Sequence, residues 1–457
     1  MQIRSIFANP AQIFVTVGMF FGFVLIFIVP PFQSPDEYNH FYRAFQVSEG
    51  HWFSEKIKNN RLGGTLPVAL DSLRQLFQPL KGDAAAKCRA GDMHTAGQLK
   101  LLEDERRFID FPNTAIYAPT AYLPQAAGIF LARQFTDRVL LLFYGARFFN
   151  LLVWLALVWA AVRRMPFHRW VMATLALLPA SLAIAASCND DVLTNGLAFY
   201  LIAIFCRGIS GNPASKFEYL GPLLLISVNK LVFAPFALLA GWQHRLDWKN
   251  SFRRSLFPLA GALVVASAWG RLANDRFVPY DRYDPTVRDA QTLNPGVDPP
   301  AQMTFVLEHP WQFAKIVAHS FVRAIPSMGA HWVGKFGWEK NYLPAWILAL
   351  LWLALAGLVF TEENPLRPAQ RLWLAAVILL SVALWAITMY ALWCPVGATV
   401  IDNWQSRYFI PLGPLAALVV GVGWGRRWLH LTLPVALALL ILGNLVQIHA
   451  VISRYFS

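Results

Sequence analysis

Charged side chains are scarce in this chain: Asp, Glu, Lys and Arg make up 14% of its 457 residues, against 56% of apolar types. A soluble protein of that length does not carry so many apolar runs near the roughly 20 residues that cross a bilayer. Those runs also lack a two-residue alternation. That absence excludes a transmembrane barrel and leaves a polytopic helical membrane protein. No small-x-small cleavage site follows the first run, Ile13 to Val29, which is longer than a signal-peptide core. The segment behind Arg4 therefore reads as a retained span. Cysteine is rare, with only Cys88, Cys188, Cys206 and Cys394, and no C-x-x-C pair or metal-ligand spacing occurs. A disulfide between Cys88 and Cys394 is the pairing that an oxidising outer compartment would suit. Internal repeats and a disordered tail are also missing.

Acidic groups are outnumbered, and the formal net charge is +13. The surplus does not form a nucleic-acid patch. Between Pro31 and Ile116 eleven Lys/Arg balance eleven Asp/Glu, whereas the excess lies in short loops. These loops carry Arg163, Arg164 and Arg169; Arg245, Lys249, Arg253 and Arg254; and Arg426 and Arg427. This is the pattern of cytoplasmic loops, so the expected partner is the membrane and not a nucleic acid. It predicts an all-α polytopic protein of about 11 transmembrane helices with an inner N-terminus and a long first outer loop carrying surface helices. The expected division is roughly 1–30, first transmembrane helix; 31–138, first outer loop with juxtamembrane helices; 139–271, transmembrane core; 272–343, outer loop; and 344–457, C-terminal transmembrane helices. The apolar stretch from Tyr117 to Phe135 holds Pro119 and Pro124 and is short for a span. Counting it would move Arg163, Arg164 and Arg169 outside, so it reads as a surface or half-inserted helix. The short pair flanking Asn229-Lys230 reads as broken and re-entrant.

What the chain does have is an acidic cluster just past the first span: Ser34-Pro35-Asp36-Glu37-Tyr38-Asn39-His40-Phe41. Ser34 as N-cap, Pro35 at the first helical position and Glu37 closing a capping box predict a short helix on the membrane surface. At 100° per residue Asp36, Asn39, His40 and Arg43 share its polar face, with Tyr38, Phe41, Tyr42 and Phe45 opposite. Capping accounts for Glu37 but does not require Asp36 or the His40–Arg43 row. A second acidic site, Asn189-Asp190-Asp191, follows an outer span end. Adjacent carboxylates suit a divalent cation or a sugar hydroxyl, and capping of the next helix accounts for them equally well. In Asn403-Trp404-Gln405-Ser406-Arg407-Tyr408, Arg407 enters a span from outside, where its fork suits a phosphate at head-group depth. An interfacial anchor among aromatics is the plainer role.

Arg147 and Asn150 lie inside an apolar span, where charge signals function or pairing. The most economical partner for Arg147 is Asp190 or Asp36. Lys230 in the broken pair has the same status. Gly334-Lys335-Phe336-Gly337-Trp338-Glu339 reads as a tight outer turn presenting an indole, a face that suits sugar rings.

Taken in order, P-D-E-x-x-H-F, Tyr117-x-Pro119-x-x-Tyr122-x-Pro124, Arg147-x-x-Asn150, Ser187-x-x-Asp190, Gly334-x-x-Gly337-Trp338 and Gln405-x-Arg407-Tyr408 span nearly the whole chain. The set resembles a bacterial integral-membrane family of uncharacterised proteins that is similar to GT-C-fold glycosyltransferases. One departure is Ser406, where the pattern has Gly. The resemblance implies a GT-C-like fold, a polyprenyl-phosphate-sugar donor, an acidic base in the first outer loop and a second acidic site in the next. It also implies a glycan or lipid acceptor of the cell envelope and the outer face of a bacterial inner (cytoplasmic) membrane. On that reading Asp36, Glu37 and His40 are the catalytic candidates, and Arg407, Lys230 and Arg147 hold the donor phosphate. Asn189, Asp190 and Asp191 form the second acidic site, and Arg43, Tyr117, Tyr122, Trp338, Gln405 and Tyr408 contact sugar or acceptor. If a divalent metal such as Mg or Mn takes part, Asp36 and Asp190 are its expected ligands. A transporter or flippase, or a polysaccharide polymerase, are the alternatives. Transport would explain Arg147 and the broken pair, but not so long a first loop without repeat symmetry.

Overall fold

The computed structural model describes residues 9–102, 104–242, 248–338, 341–402, 404–423 and 425–457. Arg4, Arg245, Glu339 and Asn403, which figure in the reading above, lie outside the described residues. The chain is mostly helical. Among the described residues six helices are long and apolar enough to cross a membrane: Pro10–Ile28, Val139–Arg164, Asp191–Ile209, Trp248–Leu272, Pro368–Trp393 and Arg426–Tyr455.

The remaining apolar stretches form shorter pieces, each with a physical cause. The helix Arg169–Leu177 stops where Leu178 turns extended ahead of Pro179, and Pro179–Ala185 resumes, since a residue before proline is driven out of the α region. Lys216–Asn229 ends at Lys230, whose backbone is extended, and Leu231–Ala240 continues as a 3-10 helix containing Pro235. The break expected at Asn229-Lys230 is thus present, and it carries Lys230 to the tip of a hairpin. Ala345–Thr361 and Ser406–Val420 are also too short for the long class. Pro310–Gly334, within the expected 272–343 loop, is a 25-residue helix that buries a narrow stripe including Ile316, Ser320 and Ala324.

The all-α expectation needs correction, because the first loop holds a three-stranded antiparallel sheet. Its strands are β1 (Glu55–Lys56), β2 (Leu62–Pro67) and β3 (Arg106–Asp110), with Gly63 opposite Asp110 and Gly64 opposite Ile109. A Cβ on Gly63 would collide with the Ile109 carbonyl oxygen, so Gly63 is what lets the strands approach, whereas a Cβ on Gly64 would meet the Gln46 side chain of the neighbouring helix. Such a short sheet leaves no alternating run long enough to be read from sequence. The sheet packs against the helix Glu37–Ser48. That helix is buried on every face from Glu37 to Val47, not laid on a surface with one wet side.

The stretch from Tyr117 to Phe135 contains a 3-10 turn, Pro119–Tyr122, followed by one α-helix, Leu123–Ala132, of 10 residues. At 1.5 Å per residue it covers about 15 Å, half a hydrocarbon core of about 30 Å. It packs on Val139–Arg164 through a backbone contact at Gly128, where a Cβ would strike the carbonyl of Gly145. All four cysteines are free and buried, so the Cys88–Cys394 disulfide is not formed.

Candidate functional site

The helix Glu37–Ser48 begins two residues later than the capping-box reading places it. Asp36, not Ser34, occupies the N-cap position, in a left-handed conformation (φ 60°, ψ 9°) with no capping hydrogen bond from its side chain. A non-glycine residue there is under mild strain, and Asp tolerates it better than most. Ser34 keeps only the return half of the box, its backbone N–H donating to Glu37 at 3.4 Å. Freed from capping, the Asp36 carboxylate turns to Arg407, whose Nη2 donates to it at 3.0 Å while Nη1 donates to the Pro35 carbonyl at 3.3 Å.

Glu37 has a different task. It forms a two-pronged ion pair with Arg147, at 2.8 and 2.7 Å, and both side chains are fully buried. Arg147 also donates to the carbonyls of Ile26, Val29 and Pro30 at the end of the first span. Glu37 accepts the Cys188 backbone N–H at 2.8 Å. The partner of Arg147 is therefore Glu37 and not Asp36 or Asp190, and the pair ties three elements together. Neither side chain faces the large cavity described below. Asn150 donates to the Ser187 and Asn189 carbonyls, and Gln125 reaches Asn189 as well. Glu37, Gln125 and Asn150, from three separate segments, thus hold one turn in place.

That turn presents the second acidic site. Asn189 supplies the local turn bond itself, its Oδ1 accepting the Asp191 N–H at 2.8 Å. With that bond made, Asp190 and Asp191 are not needed as caps. Asp190 lies 3.4 Å from Lys230 and 3.6 Å from His40 Nδ1, and Asp191 pairs directly with Lys230 and stands 3.8 Å from Arg407 Nε. Asp36, His40, Asp190, Asp191, Lys230 and Arg407 therefore form one cluster, drawn from four places distant in sequence.

The cluster lies on the wall of a cavity of about 1220 Å³, bounded by the first-loop lobe and by residues of the 277–297, 335–341 and 388–408 segments. Tyr117, Trp338, Gln405 and Tyr408 line the same space. Tyr122 stands behind it and holds His40 Nδ1 at 2.9 Å. Arg43 is elsewhere: buried in the lobe, it donates to Gln46 and to the carbonyls of His51 and Trp52. Its helix is enclosed on all sides, so sharing a face with Asp36 does not bring it to the cavity.

Burial lowers the pKa of His40, an effect opposed by the nearby Asp190 and Asp36 carboxylates. Burial raises the Tyr117 and Tyr122 hydroxyls, so both stay protonated and can donate. Of the three carboxylates, Asp36 is the open one: its side chain is 17% exposed, against 3% for Asp190 and Asp191. Asp190 Oδ2 and Arg407 Nε are buried with no hydrogen-bond partner, so the cluster is incompletely satisfied as it stands. Among the described residues no group of three or more His, Cys, Asp or Glu side chains is arranged to hold a metal ion. Asp36 and Asp190, the expected metal ligands, each face a cation of the protein. Lys81 and Arg454 also line the cavity and were missed by motif reading, since an isolated basic residue in a loop or at a helix end carries no distinctive pattern.

No curated protein and no solved structure matches this chain. A family model described as a predicted membrane protein (DUF2142) matches residues 19–416, a span that includes every member of the charged cluster, and the chain belongs to that family.

Proposed function

We propose that this protein is a membrane glycosyltransferase of GT-C type with about eleven crossings. It would act at the outer face of the bacterial inner membrane, moving a sugar from a polyprenyl-phosphate carrier to an envelope glycan or lipid. The observation that carries the reading is the Asp36–Arg407 pair at 3.0 Å, on the wall of a cavity large enough for a sugar donor and an acceptor together.

Asp36 is the base for the acceptor hydroxyl. As the proton passes to Asp36, the acceptor oxygen bonds to the anomeric carbon. The bond from that carbon to the phosphate oxygen breaks, and polyprenyl phosphate leaves with the electron pair. One displacement inverts the anomeric centre. Negative charge grows on the leaving phosphate, where Arg407 and Lys230 stabilise it more in the transition state than before. A donor phosphate competing for Arg407 would also loosen its hold on Asp36 and leave that carboxylate free to meet the acceptor hydroxyl. The neutral His40, fixed by Tyr122, stands beside Asp190 without adding a further positive charge.

The decisive assay uses purified protein in liposomes with a polyprenyl-phosphate sugar labelled in the sugar. Release of polyprenyl phosphate that requires Asp36 supports transfer. The broken helix at Lys230 is what favours transport instead, and movement of intact donor across the bilayer without cleavage would establish that alternative.

A further inference from the structure

The cavity wall carries two unlike groups of charges. In one, Asp36, Asp190 and Asp191 surround Arg407 and Lys230. The other is Lys81 and Arg454, held by groups that leave their charge uncompensated. The Lys81 ammonium lies 3.9 Å from the centre of the Trp338 ring and 5.4 Å from that of Tyr38. The indole is itself fixed, its N–H donating to the Phe32 carbonyl at 3.2 Å. The Arg454 guanidinium donates to the carbonyls of Leu80, Asp83 and Ala86. Among the described residues neither cation has a carboxylate within ion-pairing distance, and both line the cavity.

Rings and carbonyls orient a cation without neutralising it. A cation at a water-filled wall with no protein counter-ion will attract an anionic group of the bound molecule. The donor phosphate already has Arg407 and Lys230. We infer that Lys81, supported by Arg454 and set in position by Trp338, is an anion subsite for the second substrate: an acceptor sugar carrying a carboxylate or a phosphate ester. The polarity then orients that substrate, with its negative group drawn to Lys81 and the attacking hydroxyl toward Asp36. Assignment to the acceptor rests on the proposed transfer reaction; the anion subsite itself does not.

The test is binding without turnover, by titration calorimetry on the full chain in lipid nanodiscs. The probes are methyl glucuronide, methyl glucoside 6-phosphate and uncharged methyl glucoside. At least one charged probe should bind about tenfold more tightly than the neutral one, and that advantage should shrink as salt is added. Whichever charged probe is preferred identifies the anion as carboxylate or phosphate. Lys81→Gln should abolish the preference and Lys81→Arg should keep most of it; among the described residues the ammonium meets only aromatic rings, so neither change threatens the fold. Equal binding of all three probes to the parent, or a preference that survives Lys81→Gln, overturns the subsite. If the preference holds but the donor is never cleaved, the transfer reading fails alone. If cleavage occurs and the preference is absent, the subsite fails alone.

Discussion

At the scale of single residues, adjacent carboxylates in one motif have opposite duties. Asp36 is partly open and faces the cavity, whereas Glu37 is sealed against Arg147. Asp36→Asn should therefore abolish donor cleavage while leaving expression and thermal stability near the parent, because asparagine keeps the size and cannot accept the proton. Glu37→Gln should do the reverse. It strands a fully buried guanidinium, a loss on the order of 3–5 kcal/mol, and should appear as poor folding or a large drop in melting temperature in detergent. If Glu37→Gln folds normally and loses only turnover, its structural assignment is wrong. Arg407→Ala should weaken binding of the lipid-phosphate donor by an amount on the order of 2–5 kcal/mol, with Arg407→Lys intermediate, since an ammonium cannot make the forked contact. Unchanged donor affinity in Arg407→Ala would reduce the residue to an interfacial anchor.

At the scale of elements, the helix Glu37–Ser48 connects the lobe to the cluster through His40. The folded-state pKa of His40 is lowered, chiefly by burial. Above the unfolded value of about 6.5 both states are neutral and the group contributes nothing against folding. As pH falls below 6.5 the unfolded chain takes a proton that the folded chain refuses, so stability declines down to the folded pKa. Melting curves between pH 7.5 and 5.5 should show this decline, and it should be smaller in His40→Gln. An equal slope in the variant would place the acid sensitivity elsewhere. The contact between Leu123–Ala132 and Val139–Arg164 offers a second test at this scale. Gly128→Ala forces a Cβ into the Gly145 carbonyl, so it should destabilise by about 1–3 kcal/mol, read as a lower melting temperature.

At the scale of the whole molecule, sidedness is the question. Basic loops and the convergence of the first-loop lobe with the cluster point to a single outer end. Cysteines placed at the exposed positions Asp137 and Glu308 should react with a membrane-impermeant thiol reagent applied from outside, and those at Asn212 and Glu363 should not. Labelling at Asn212 together with protection at Asp137 would invert the topology and remove the cavity from the outer face.

Composition and apolar run length alone identified a helical membrane protein, because the cost of leaving backbone groups unpaired in lipid restricts the alternatives so severely. Proline positions and short run lengths likewise marked the break at Lys230 and the short helix around Leu123, as local constraints act on local sequence. Asp36, Asp190, Asp191, Lys230 and Arg407 were legible as polar groups out of place among apolar neighbours. Their convergence was not, since it depends on contacts spanning hundreds of residues. Only the folded chain decided that Glu37 takes Arg147, that Asn189 makes the turn bond that leaves its two aspartates free of capping, and that Arg43 lies inside the lobe. The small sheet also escaped sequence reading, because its strands are short and two glycines stand where an alternating pattern would be sought. Side-chain type records what a residue can do, but which partner it meets is settled by packing, where a carboxylate one position along the chain faces a different neighbour.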